Sequence, residues 1–172
     1  MILKFRSAST LVFLIVMLAG NNAGATALKV ITRDLPLETC YEGTREDVVS
    51  MVDRAVKLVS ESGSRDAFRQ FMEPGGGYIE GDLYVFVLDR YGTILANGAS
   101  PGSIGNNVLQ VQDSNGFYFV KSMLRQAFTR GQGWVDYIWV SPCTGKPALK
   151  STYFQKAGQF VIGVGLYHTP GI

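Results

Sequence analysis

Few residues in this 172-residue chain have the type and spacing to do chemistry. Its single histidine, His168, stands near the C-terminus, where a solvated surface role is expected. Cys143 lies in a loop with no histidine nearby in sequence, so a thiolate nucleophile is not expected. Gly98-Ala99-Ser100-Pro101-Gly102 matches the G-x-S-x-G pattern of a nucleophile elbow and follows a strand-like run. The residue after its serine is Pro101, which has no N–H to offer an oxyanion hole, so the match reads as a loop. Pro74-Gly75-Gly76-Gly77 lacks the lysine and Ser/Thr of a phosphate loop and precedes a strand, so it reads as a linker. Asp136 beside Tyr137 is the best local acid–base option, and it is thin. No metal-spaced cluster of His, Cys or acidic residues occurs. No catalytic residue, metal or cofactor is therefore assigned.

A binding pocket has better support. Three strand-like runs, 134–140, 149–155 and 160–167, carry many of the chain's aromatics. Alternation puts Trp134, Asp136 and Ile138 on one face and Val135, Tyr137 and Trp139 on the other. Along 160–167, Val161, Gly163, Gly165 and Tyr167 face one way, and the two glycines clear space on that side. Either a closely packed helix or a ligand fills such a gap. Lys150 stands mid-strand between Leu149 and Ser151. A lysine there is either at a sheet edge with its head in water or held over a pocket as a counter-charge.

The elements that must position these residues follow from periodicity. Thr44 with Asp47 three residues on is a weak capping box. Val48, Val49, Met51, Val52, Ala55, Val56, Leu58 and Val59 then form one apolar stripe, which predicts a helix of four to five turns ended by Gly63. Ser64 is expected to cap a shorter helix over 65–72. Residues 83–88 and 93–97 read as strands joined by an Asp-Arg-Tyr-Gly turn. A polar connection leads to a third helical pattern ending at Arg130, and then come the three runs above. The last three strands, linked by short turns, are expected to pair as an antiparallel meander. Together these predict an α+β, PAS-like fold: a five-stranded antiparallel sheet with the long N-terminal helix on one face and the 98–130 excursion on the other.

Composition fits one domain with a core, since 47% of residues are hydrophobic. Lys4 and Arg6 precede an apolar run at 11–18, and A-x-A sites follow at 23–25 and 25–27. That is the pattern of a cleaved secretory signal over 1–27, with the mature domain at 28–172. The apolar run is shorter than the ~20 residues needed to span a bilayer. Loss of Lys4 and Arg6 leaves 14 basic residues against 14 acidic ones, and a balanced chain gives no reason to expect nucleic acid as a partner. The two cysteines, Cys40 and Cys143, would then meet an oxidising compartment, where pairing is expected.

A set of short words, in this order and spacing, resembles the Cache family in its single-domain form, the extracellular sensor modules of bacterial chemoreceptors and kinases. They are Tyr84-Val85-Phe86-Val87-Leu88-Asp89-Arg90-Tyr91-Gly92, Gly105-Asn106-Asn107, Asp113-Ser114-Asn115-Gly116 and Phe119-Val120. Gly131-Gln132-Gly133-Trp134-Val135-Asp136-Tyr137, Pro142 with Thr144-Gly145-Lys146, Lys150-Ser151-Thr152-Tyr153 and Gly163-Val164-Gly165-Leu166-Tyr167 follow. The resemblance spans roughly residues 44–167. It implies a PAS-like fold that binds small molecules, often organic acids, between the sheet and the elements covering one face. Carried over, it makes Trp134, Tyr137, Trp139, Lys150 and Tyr153 the ligand-binding candidates. The chain departs from the pattern at Asn97-Gly98, where members usually carry His-Pro or His-Gly, and in its cysteines. With no output domain after Ile172, the resemblance implies a free-standing periplasmic sensor, related to chemotaxis and signal transduction, whose partner is a membrane receptor or kinase. A structural envelope protein, or less readily an enzyme, is the alternative; a structural role predicts no ligand-sized cavity.

Pairing of Cys40 with Cys143 closes a loop of about a hundred residues and stabilises by roughly 4 to 5 kcal/mol on the chain-entropy model. Thiol titration of the denatured, unreduced mature protein is expected to find none, and two thiols per chain would rule the pairing out.

Overall fold

The computed structural model of the protein describes residues 43–168, and its first helix begins where the sequence places a cap. The Thr44 hydroxyl accepts from the Asp47 N–H at 3.1 Å and the Asp47 carboxylate accepts from the Thr44 N–H at 2.9 Å. This reciprocal box satisfies two otherwise orphaned donors and is worth about 1 kcal/mol. Helix α1 (Arg45–Ser62) buries Val48, Met51, Val52 and Ala55, the centre of the apolar stripe. Gly63, at φ +79°, ends α1 and opens α2 (Ser64–Phe71). Its N–H donates to Val59 and its carbonyl accepts from Ala67. The expected cap at Ser64 is thus displaced by one residue, because a glycine in the left-handed region serves both helix ends at once.

Six strands follow: β1 (Ile79–Glu80), β2 (Leu83–Asp89), β3 (Ile94–Asn97), β4 (Gln132–Val140), β5 (Pro147–Ala157) and β6 (Phe160–Tyr167), with α3 (Phe119–Arg130) between β3 and β4. All pairings are antiparallel, and β4, β5 and β6 form the expected meander. The order is β1-β2-β6-β5-β4, with β3 also pairing β2. The sixth strand, β1, has two residues and pairs only Tyr84 and Leu83, too short a run to show a period in sequence. The fold is the expected α+β, PAS-like arrangement.

Strand alternation divides the core. On one face Val85, Val87, Ile162, Val164, Leu166 and Tyr153 meet α1 and α2 through Val48, Met51, Val52 and Phe71. On the other, Leu88, Val135, Tyr137, Phe154 and Val161 meet α3 through Phe119, Val120, Met123, Leu124 and Ala127. The approach to α3 is pinned by Asp113. Its carboxylate accepts from the N–H groups of Asn115 and Phe117, each at 2.9 Å, and from the Ile138 N–H of β4 at 3.1 Å. The Phe117 bond foremost holds this carboxyl below the usual range. Among the described residues no helix is long and apolar enough to cross a membrane. Residues 1–27 and Cys40 lie outside the described residues, while Cys143 sits in the β4–β5 turn with its N–H on the Ser141 hydroxyl.

Candidate functional site

Between the sheet and α3 lies a cavity of about 90 Å³. Its walls are apolar for most of their extent, with Phe86, Leu88 and Ile94 from the sheet and Phe119, Val120 and Met123 from α3. The polar exceptions are Tyr84, Asn97, Tyr137 and Lys150. Lys150 is 1% exposed, so the mid-strand lysine belongs to a pocket and not to a sheet edge. Its Nζ donates to Tyr84 Oη at 2.7 Å and to Tyr167 Oη at 3.2 Å. The ammonium also lies over both rings, 4.1 Å and 4.5 Å from their centroids. Tyr167 in turn donates to the Val140 carbonyl at 3.0 Å, so its lone pairs are left to face the lysine.

This is a buried cation solvated by phenols. It makes no salt bridge among the described residues. Two of its three protons are taken by hydroxyls. The field of the lysine is visible on its neighbours. Burial pushes the Tyr84 phenol up, but the Lys150 charge and hydrogen bond, with a contribution from Tyr167, more than offset this and hold it below an ordinary tyrosine. Buried Asp82 acts on the same phenol in the opposite sense. Tyr167 is pushed far up by burial and then by Tyr84, and Tyr137 by burial against a 3.1 Å bond to the Thr152 hydroxyl.

The five predicted contacts divide as alternation requires. Tyr137, Trp139 and Lys150 line the cavity. Tyr137 stacks on Phe119 with centroids 4.1 Å apart, and Trp139 sits edge-on to Phe119 at the rim. Trp134 and Tyr153 pair with each other at 5.3 Å on the opposite face, packed against the α1 core, and Arg45 lies over the Trp134 ring. They are outside the cavity, and no cage of five forms. Sequence reading missed Tyr84 as a contact; its signal is a polar-tipped side chain in step with Phe86 and Leu88 along an otherwise apolar strand. Asn97, which departs from the family pattern, reaches the cavity while its Oδ1 accepts from the N–H groups of Ala99 and Ser100.

The glycine gap on β6 is filled neither by a helix nor by a ligand. A Cβ at Gly163 would overlap the Phe86 ring, and one at Gly165 would overlap Lys150 Cε and the Thr152 hydroxyl. Side chains of the neighbouring strands occupy the space.

Nucleophilic chemistry finds no support. Asp136 and Tyr137 are adjacent on β4 and so point to opposite faces. His168 is exposed, with its Nε2 2.7 Å from the Ser151 hydroxyl, and that hydroxyl donates to Asp136 at 2.6 Å. An activated serine gives its proton to the histidine, whereas here the carboxylate takes it. Among the described residues no group of three or more His, Cys, Asp or Glu could hold a metal.

The chain belongs to the Cache family: the model described as Single Cache domain 2 matches residues 45–169. The fold is similar to that of a methyl-accepting chemotaxis protein from Vibrio parahaemolyticus RIMD 2210633, with TM-score 0.62 and 20% identity over 71% of this chain and 86% of that one. It is similar also to a periplasmic sensor domain of a chemotaxis protein, with TM-score 0.59 and 22% identity over 72% and 90%. A third, a Cache chemosensory domain solved for carboxylic acid recognition, gives TM-score 0.57 and 19% identity over 70% and 85%. The Cache family is one of ligand-binding sensory modules.

The buried phenols make stability alkali-sensitive. Tyr137 and Tyr167 titrate above the unfolded value, so their contribution is complete below pH ~10 and is lost as pH rises beyond it, by up to about 1.4 kcal/mol per pH unit for each group. Tyr84, held low, works in the opposite direction only below pH ~10 and adds no slope above it, whereas Tyr78 and Tyr153, also pushed up by burial, add to the fall. Thermal unfolding from pH 8 to 11.5 is expected to show Tm falling above ~10, with a shallower fall in Tyr137→Phe. A slope unchanged by that substitution would contradict the protonated, buried role given to Tyr137.

Proposed function

We propose that this protein is a periplasmic Cache-type sensor that takes a small organic acid into the cavity between the sheet and α3 and acts through a partner chain, a membrane receptor or kinase. The observation that carries the reading is Lys150, a buried ammonium with no salt bridge among the described residues, on the wall of a mostly apolar cavity. Burying a charge without an opposite one is costly, and a ligand carboxylate supplies what the phenols only partly replace. The described fold of a solved Cache domain named for carboxylic acid recognition supports the same class. A cavity of about 90 Å³ suits an anion of few heavy atoms, since a water in the liquid occupies roughly 30 Å³. Tyr137 and Trp139 contribute wall and rim, and Trp134 and Tyr153 hold the sheet against α1. A purely structural role accounts poorly for a cation placed beside a cavity.

Export and pairing of Cys40 with Cys143 belong to the same reading. N-terminal sequencing of protein recovered from the periplasm is expected to begin near residue 26 or 28. An intact N-terminus recovered with membranes would replace secretion with anchoring.

The clamp is tested by Lys150→Met, which keeps most of the stem and removes the charge. Calorimetry against a panel of small carboxylates, including acetate, propionate and lactate, is expected to find a binder for the wild-type protein. In the folded variant its affinity should fall ten- to a hundredfold, as loss of a charge-assisted hydrogen bond worth ~1.5 to 3 kcal/mol requires. Unchanged affinity would end the carboxylate clamp.

A further inference from the structure

The lysine reaches its partners by an unusual route. Lys150 is on β5 and Tyr84 on β2, and β6 runs between them. Two strand spacings, roughly 9.5 Å, separate β5 from β2. Thr152 pairs with Gly165, and one step beyond the Val85–Val164 pair Tyr84 stands level with the same glycine. Thr152, Gly165 and Tyr84 thus form a row across three strands, and the Lys150 side chain crosses that row diagonally. The crossing point is Gly165: a Cβ there would overlap Lys150 Cε and lie 3.1 Å from Cγ, so the stem rests on bare backbone. Gly165 is not in the left-handed region, so its conformation does not require glycine. The requirement is space.

We propose that Gly165 is a positioning residue of the ligand site: the gap it leaves in β6 is the saddle over which Lys150 is laid across the sheet, and it sets where the ammonium meets a bound anion. The second half rests on the proposed function; the first does not. With any side chain at 165 the stem must lift off the sheet, and its Nζ can no longer hold the 2.7 Å bond to Tyr84. The Thr152 hydroxyl, also in the way, would be pushed from Tyr137.

The readout is Tyr84, whose phenol reports the ammonium directly. In protein labelled at tyrosine ring carbons, its resonance is identified by its loss in Tyr84→Phe and followed through a pH titration by NMR. In Gly165→Ala the Tyr84 midpoint should rise, in the same direction as in Lys150→Met. A folded Gly165→Ala protein with a wild-type Tyr84 midpoint would overturn the proposal, because a merely structural glycine leaves the Lys150–Tyr84 pair in place. If Gly165→Ala does not fold, the same substitution is made in a Lys150→Ala, Thr152→Ala background. Folding restored there supports the saddle; failure there, with the parent folded, overturns it. Acetate calorimetry separates the two readings. A shifted Tyr84 in Gly165→Ala together with no binding to the wild type sinks acetate as a ligand and leaves the positioning role standing.

Discussion

A charge taken out of water inside a β-sheet constrains everything near it. Lys150 is such a charge, and the residues around it are those that a buried ammonium needs: hydroxyl oxygens at 2.7 and 3.2 Å and two ring faces. Each comes from a different strand than the lysine itself, Tyr84 from β2 and Tyr167 from β6. The site therefore exists only when β2, β6 and β5 are paired in this order and register. Removing one partner leaves a buried donor without an acceptor, which costs more than the bond itself is worth. Phenols in place of a carboxylate leave the cation polarised and short of a full counter-charge, which is the electrostatic condition for attracting an anion.

The sheet keeps this site separate from its support. Residues that alternate with the lining occupy the opposite face, so each strand serves two purposes. Asp136, Ser151 and His168 adjoin Tyr137, Lys150 and Tyr167 in sequence and meet one another behind the pocket. The rung that holds the cation is thus bonded across β4, β5 and the end of β6 from the back as well as the front. Trp134 and Tyr153 seat the same strands on α1. An aromatic on β4 or β5 is not evidence of a cage until its parity with Lys150 is counted. Tyr137, paired directly with Lys150, shares its face, and Trp134, three residues away on β4, cannot.

Much of this was legible in the sequence because it is local. The stripe from Val48 to Val59, the capping box at Thr44 and the meander of β4, β5 and β6 need only period and turn chemistry. Lys150 itself was legible as an anomaly. What periodicity could not supply was the neighbour of β6 on its far side. The pairing of β2 with β6 joins segments more than seventy residues apart, and no turn announces it. Without that pairing Tyr84 is one tyrosine among eight, and the lysine has no visible partner. The capping of α2 by Gly63 rather than Ser64 was missed for a related reason, since one glycine closing two helices is a property of their junction and of neither helix alone.

The paired glycines on β6 show how such a signal is best read. Empty positions on a strand invite the search for whatever enters from above, a helix or a ligand. A side chain on an adjacent strand is nearer than either. At ~4.8 Å between strands, a long side chain needs only to lie down, and a glycine beside it lets it do so. Phe86 lies over Gly163 from one side, and Lys150 over Gly165 from the other. The gap is therefore not the binding site. It is what allows an apolar ring and a cation to line the cavity wall together.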